Sequence, residues 1–212
     1  MADLAGTIQD LAVRIPVFLL ALTIHEFAHG WLANRLGDPT ARLQGRLTLN
    51  PLAHLDPIGT LAIVLIGFGW ARPVPVDSRN LRNPRRDMVL IAAAGPASNL
   101  LLAAASAFCY RMVPWGATGV EWAWLAAPVR AMLRTGVLAN VVLAIFNLLP
   151  VPPLDGGRVV SGLLPLRQAI TYSRLEPYGF LIIFFLFFTG IIDPVFGVAV
   201  RTLTRALVQM WG

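Results

Sequence analysis

The residues best equipped for chemistry in this sequence lie close together, in His25-Glu26-Phe27-Ala28-His29. The spacing is H-E-x-x-H. On a helix, side chains at i and i+4 share a face one turn apart, so two imidazoles placed this way reach a single metal ion. The glutamate between them stands beside that ion, where it can take a proton from an attacking water. Zinc suits this pattern, because its catalytic sites use about three protein ligands and keep one position open. Its Lewis acidity brings the pKa of a water toward about 7.

Two protein ligands are too few for such a site. The one other histidine is His54, and the acidic residues in or beside apolar runs are Asp56, Asp155, Glu176 and Asp193. Asp155 stands out by its surroundings. It follows Pro150, Pro152 and Pro153 and precedes Gly156 and Gly157. These residues release the backbone from helical geometry, so a carboxylate there can turn toward a metal held by another helix. The blander role for Asp155 is an N-cap on a helix starting at Gly156. The blander role for His54 is ordering a turn built by Asn50-Pro51 and Asp56-Pro57. For the motif itself, the alternative is a helix end with wet histidines at an interface.

The elements that position these residues are hydrophobic. The chain has 212 residues, 57% hydrophobic and 13% charged, whereas soluble domains carry about a quarter charged residues. Runs long enough to cross a bilayer account for the excess. Long spans are expected over Leu11–Leu32, Met88–Tyr110, Val129–Leu149 and Tyr178–Ile192. The 13-residue apolar piece Ile58–Trp70 has basic flanks on both sides. It is short of the roughly 20 residues a spanning helix needs, which favours a re-entrant or β-like insertion over a short true span. A short helix over Val159–Leu164 is expected to dip toward the membrane. The tail, with Arg201 and Arg205 among apolar residues, reads as an amphipathic surface helix. The fold class is therefore all-α and polytopic, with about four to six transmembrane helices. Residues 1–212 form a single membrane-embedded domain, with no room for an added soluble domain of about 100 residues.

The net charge is +6. Arginines cluster in short loops beside apolar runs, which indicates the positive-inside rule rather than nucleic acid. No stretch resembles a nucleic-acid module, so the expected surroundings are a lipid bilayer. Counting spans puts the N-terminus outside, the Arg35–Asp87 segment inside and the loop with Trp115, Trp122 and Trp124 outside. The Pro150–Glu176 segment is then inside again. The single cysteine, Cys109, excludes an intrachain disulfide and argues against a thiolate site. The first span lacks a basic start and a cleavage site, so it reads as a mature span rather than a signal peptide. Ionised groups in such a span cost roughly 2–3 kcal/mol and need partners inside the bundle. A metal that binds both histidines is the simplest such partner.

With these residues in view, the sequence resembles the site-2 protease family of intramembrane zinc metalloproteases. That family pairs H-E-x-x-H on one membrane helix with L-D-G on a later one, here Leu154-Asp155-Gly156. The stretch Asn147–Arg158 resembles its extended signature, and Ala94-Gly95-Pro96 with Asn99 resembles its intermediate helix. The resemblance implies His25, His29 and Asp155 as ligands of one Zn2+ per chain and Glu26 as general base. It implies Asn147 near the substrate or the oxyanion. The substrate would be a transmembrane protein, cut by zinc-activated water from a site facing the cytoplasmic side of the cell membrane. No PDZ or CBS module is recognisable. A metal-ion or proton transporter using the same polar residues, and an inactive relative that only captures membrane spans, are the rival classes.

Overall fold

The computed structural model describes residues 4–59, 70–112 and 123–209. Its first element, α1, runs over Leu4–Leu36. Thirty-three residues at 1.5 Å each give a helix about 50 Å long, more than the bilayer core requires. Gly37 stops it with φ of 115°, a left-handed conformation at the position where glycine commonly ends helices. A single turn, α2 (Thr40–Leu43), follows.

Helix α3 spans Pro84–Met112. Proline at its first position loses no intrahelical hydrogen bond. The Asn83 N–H donates to the Asp87 carboxylate at 2.9 Å, and the Asp87 N–H donates to the Asn83 carbonyl at 2.8 Å. Helix α4 covers Ala123–Asn147 and stops ahead of Pro150. The shorter α5 (Asp155–Leu163) and α6 (Leu166–Ser173) come next. A 3-10 turn over Glu176–Tyr178 leads into α7 (Gly179–Phe188), and α8 (Asp193–Gln209) ends the described chain.

Among the described residues, four helical stretches are long and apolar enough to cross a membrane: Gly6–Leu36, Pro84–Met112, Leu125–Asn147 and Leu166–Phe188. There is no strand among them, only an isolated antiparallel bridge between Leu55 and Ala71. The chain is an all-α multi-pass membrane protein. Helix α3 is its centre and packs against α1, α4 and α5. One buried cluster joins Ala33, Leu81 and Ile91 near the end of α1. A second joins Ala103, Val141 and Val200 across α3, α4 and α8. Phe180, Leu181, Phe184, Phe185 and Phe188 of α7 are exposed, the outward apolar surface that lipid tails suit.

Two features differ from the sequence expectation. The last span, expected over Tyr178–Ile192, is helical over Gly179–Phe188 and stops ahead of Gly190, whose φ is 69°. The tail helix α8 does carry an apolar face, but Phe196, Val200, Leu203 and Leu207 press it against the bundle. Within the 58–70 insertion, Gly59 and Trp70 lie against each other, and a methyl on Gly59 would stand 2.2 Å from the Trp70 carbonyl oxygen. Residues 60–69, which hold most of that expected insertion, are outside the described residues.

Candidate metal centre

His25 and His29 lie on one face of α1, as their spacing requires. Asp155 reaches them from the start of α5. All three are buried, at 5%, 7% and 6% exposure. The Nε2 atoms of the two histidines are 3.0 Å apart. The Oδ2 atom of Asp155 stands 3.1 Å from the first and 3.2 Å from the second. Asp155 Oδ2 is buried without a hydrogen-bond partner.

The surroundings decide which ring nitrogens carry protons. His29 Nδ1 is 2.7 Å from the Ile91 carbonyl oxygen. A carbonyl only accepts, so Nδ1 carries the hydrogen. His25 Nδ1 is 2.6 Å from Asn99 Oδ1. The Asn99 amide is oriented by its nitrogen, which donates to the Ala21 carbonyl at 3.1 Å and to Asn140 Oδ1 at 2.8 Å. Asn140 in turn donates to the Gly136 carbonyl at 2.8 Å. Both imidazoles thus hold a proton on Nδ1, and as neutral rings they turn Nε2 lone pairs toward each other and toward a carboxylate oxygen. Three buried acceptors facing one another repel unless a cation lies between them. Two imidazole nitrogens and one carboxylate oxygen are a zinc-type donor set. Ligands about 2.0–2.1 Å from a tetrahedral ion sit roughly 3.3 Å from one another, close to the separations found here. The residues therefore fit zinc.

Close packing makes the cluster possible. Ile91, Gly95 and Asn99 follow one another at four-residue intervals along α3, and this stripe faces the histidines. A Cβ on Gly95 would stand 2.4 Å from His29 Nε2 and 2.6 Å from His25 Nε2. Only hydrogen fits there. At the Asp155 end, a Cβ on Gly156 would stand 2.3 Å from the Leu148 carbonyl oxygen. The glycine lets the turn after α4 fold tightly enough to deliver the aspartate.

Glu26 is buried, and its Oε2 accepts the Val74 N–H at 2.8 Å. Asp155 caps no helix: Leu154 occupies the N-cap position of α5, without a side-chain cap bond. His54 lies away from the cluster. It is 1% exposed, and its Nε2 faces the Thr48 carbonyl at 2.8 Å, so it orders its own turn. Asp56 does likewise, accepting the Gly59 N–H at 2.8 Å. Asn147 is half-buried and donates to the Leu143 carbonyl of its own helix at 3.0 Å. No hydrogen bond among the described residues joins it to the histidines. Asn140 and Val74 were not expected from the sequence. Asn140 carried a signal, being polar within an apolar span.

A family model described as Peptidase family M50 matches residues 117–190. Two bacterial relatives are named "Putative zinc metalloprotease", YwhC and Rip2. YwhC of Bacillus subtilis (strain 168) is 44% identical over 172 residues, covering 81% of this chain and 78% of its own. Rip2 of Mycolicibacterium smegmatis is 31% identical over 203 residues, covering 87% of this chain and 72% of its own. The chain belongs to peptidase family M50. That membership agrees with the resemblance to site-2 proteases, and zinc is the cofactor it implies. The segment matched by the M50 model contains Asn147 and Asp155. No solved structure matches the chain.

Proposed function

We propose that this chain is an intramembrane zinc metalloprotease that hydrolyses peptide bonds of membrane-spanning substrate proteins. The observation that carries this reading is the meeting of three buried, mutually facing lone-pair donors, His25, His29 and Asp155, inside a bundle of membrane-length helices. The names of its M50 relatives point to the same chemistry.

In this reading His25, His29 and Asp155 hold zinc. When bound, the ion supplies Lewis acidity to water and to a carbonyl oxygen. A helical substrate uses its amide groups internally, so a substrate span must unwind before its carbonyl carbon is open to attack. Glu26 takes the proton of the attacking water and passes it to the leaving amine nitrogen. Asn147 donates from its side-chain amide to the carbonyl oxygen as negative charge develops there. That role requires it to leave Leu143. Residues 1–212 act as one membrane-embedded domain in the cell membrane. The site opens to the cytoplasmic side, where the arginine-rich segments lie.

The test is co-expression with candidate single-span proteins, comparing wild type with Glu26→Gln. The glutamine variant should bind zinc and leave substrates whole, with cleavage slower by about 10²- to 10⁴-fold. Identical fragment patterns from both proteins would end the reading.

A further inference from the structure

The segment Arg72–Asp77 has no regular secondary structure and lies against α1 beside Glu26, and neighbouring elements hold it at several points. At its start, the Arg72 N–H donates to the His54 carbonyl at 2.8 Å. Arg46 Nη2 donates to the carbonyls of Arg72 at 2.7 Å and Pro73 at 3.3 Å. At its end, the Asp77 N–H donates to Asp38 Oδ2 at 2.7 Å. Arg46 is 8% exposed and Asp38 fully buried. Burying charged groups is unfavourable unless hydrogen bonds compensate. Here both groups direct hydrogen bonds to one short stretch of backbone.

Between those anchors, Val74 meets α1 twice. Its N–H reaches Glu26 Oε2, and its Cγ1 lies 3.0 Å from where a Cβ on Gly30 would stand. Glu26 and Gly30 are one turn apart on the same face of α1. Val74 is flanked by Pro73 and Pro75. Prolines have no N–H and fix φ, so the segment is stiff and Val74 has the one amide donor among those three residues. No described residue donates to the other oxygen of Glu26.

We propose that Arg72–Asp77 is a strap that positions the general base. The Val74 amide holds one Glu26 oxygen and leaves the other free for the proton, and Arg46 is the positioning residue that clamps the strap. This rests on the protease reading. It adds a prediction that reading does not make: loss of a single backbone N–H, far in sequence from the metal motif, lowers turnover without removing metal.

The experiment uses full-length protein in detergent micelles, with zinc per chain, kcat and KM measured on a cleaved single-span substrate. Val74→Pro removes the N–H from a stretch that already holds Pro73 and Pro75. Its zinc content should match wild type, KM should stay within about twofold, and kcat should fall about 10- to 100-fold. Val74→Ala keeps the N–H, so its kcat loss should be at least about fivefold smaller. Arg46→Gln should lower kcat, and Arg46→Lys, which retains a donor, should recover part of the loss. Wild-type kcat in Val74→Pro, equal losses in the proline and alanine variants, or loss of zinc from Val74→Pro would each overturn the strap. If wild type and Glu26→Gln cleave alike, the protease reading itself falls, and the positioning role with it.

Discussion

Asn99 turns its side-chain oxygen to Nδ1 of His25, 2.6 Å away, while its nitrogen is held by two acceptors on other helices. One buried amide thereby fixes both the ring orientation and the Nδ1 proton of a histidine in the candidate metal centre. Asn140 keeps that amide from flipping, which places α4 in contact with a site whose histidines belong to α1.

Replacing Asn140 with leucine removes one of the acceptors that orient Asn99. Outer hydrogen bonds to metal-binding histidines are worth about 10- to 100-fold in affinity. Asn140→Leu should therefore weaken zinc binding by that factor in competition with a chelator. Unchanged affinity would show that Ala21 alone orients the amide.

Gly95→Ala puts a methyl carbon 2.4 Å from His29 Nε2. Overpacking of this kind costs about 1–3 kcal/mol when neighbours can shift. Here the neighbours are the two imidazoles, and moving them separates the donor atoms. The variant should fold less stably and bind substoichiometric zinc, read by thermal melting and metal analysis. Full zinc content at wild-type melting temperature would contradict the packing argument.

Asp155→Asn separates the metal role from the packing role. The amide should bind zinc at least about 100-fold more weakly. Without metal, however, its N–H can donate to an imidazole lone pair that the carboxylate oxygen confronts. The metal-free variant should therefore be more stable to thermal unfolding than metal-free wild type, by about 1–2 kcal/mol. A lower melting temperature would mean that the histidines and Asp155 do not repel in the metal-free protein.

Asp38 gives a pH dependence outside the membrane spans. Burial pushes its carboxyl up, but hydrogen bonds from the Thr40 side chain, the Asn80 side chain and the Asp77 and Thr40 amides outweigh this and hold it below the ordinary value of 3.8. A depressed pKa stabilises the folded state fully above the unfolded value. That contribution is lost as pH falls through the folded pKa. The Asp77 amide should exchange faster with solvent as pH drops below about 4, after correction for intrinsic exchange rates. Asp38→Asn should abolish that pH step. A step that persists in Asp38→Asn would assign it to another group.

Much of the fold was legible in the sequence because a membrane leaves few options. Long apolar runs must be helices, and α1, α3 and α4 fall where such runs lie. The boundaries were less legible. The last apolar run continues to Ile192, yet its helix ends at Phe188 ahead of Gly190, and the partner of α8 depends on where the other helices stand.

The sequence by itself determined the pairing of His25 with His29, since helical spacing is a local property. It also marked Asp155, because prolines and glycines announce a broken helix. Only the tertiary structure decided that Asp155 Oδ2 meets both Nε2 atoms, since that contact joins residues 126 or more positions apart. It alone revealed that Gly95 leaves room for the rings and that Asn140 anchors Asn99. The Val74 amide was the least visible, because every residue except proline has the same N–H and only packing shows which one faces a carboxylate.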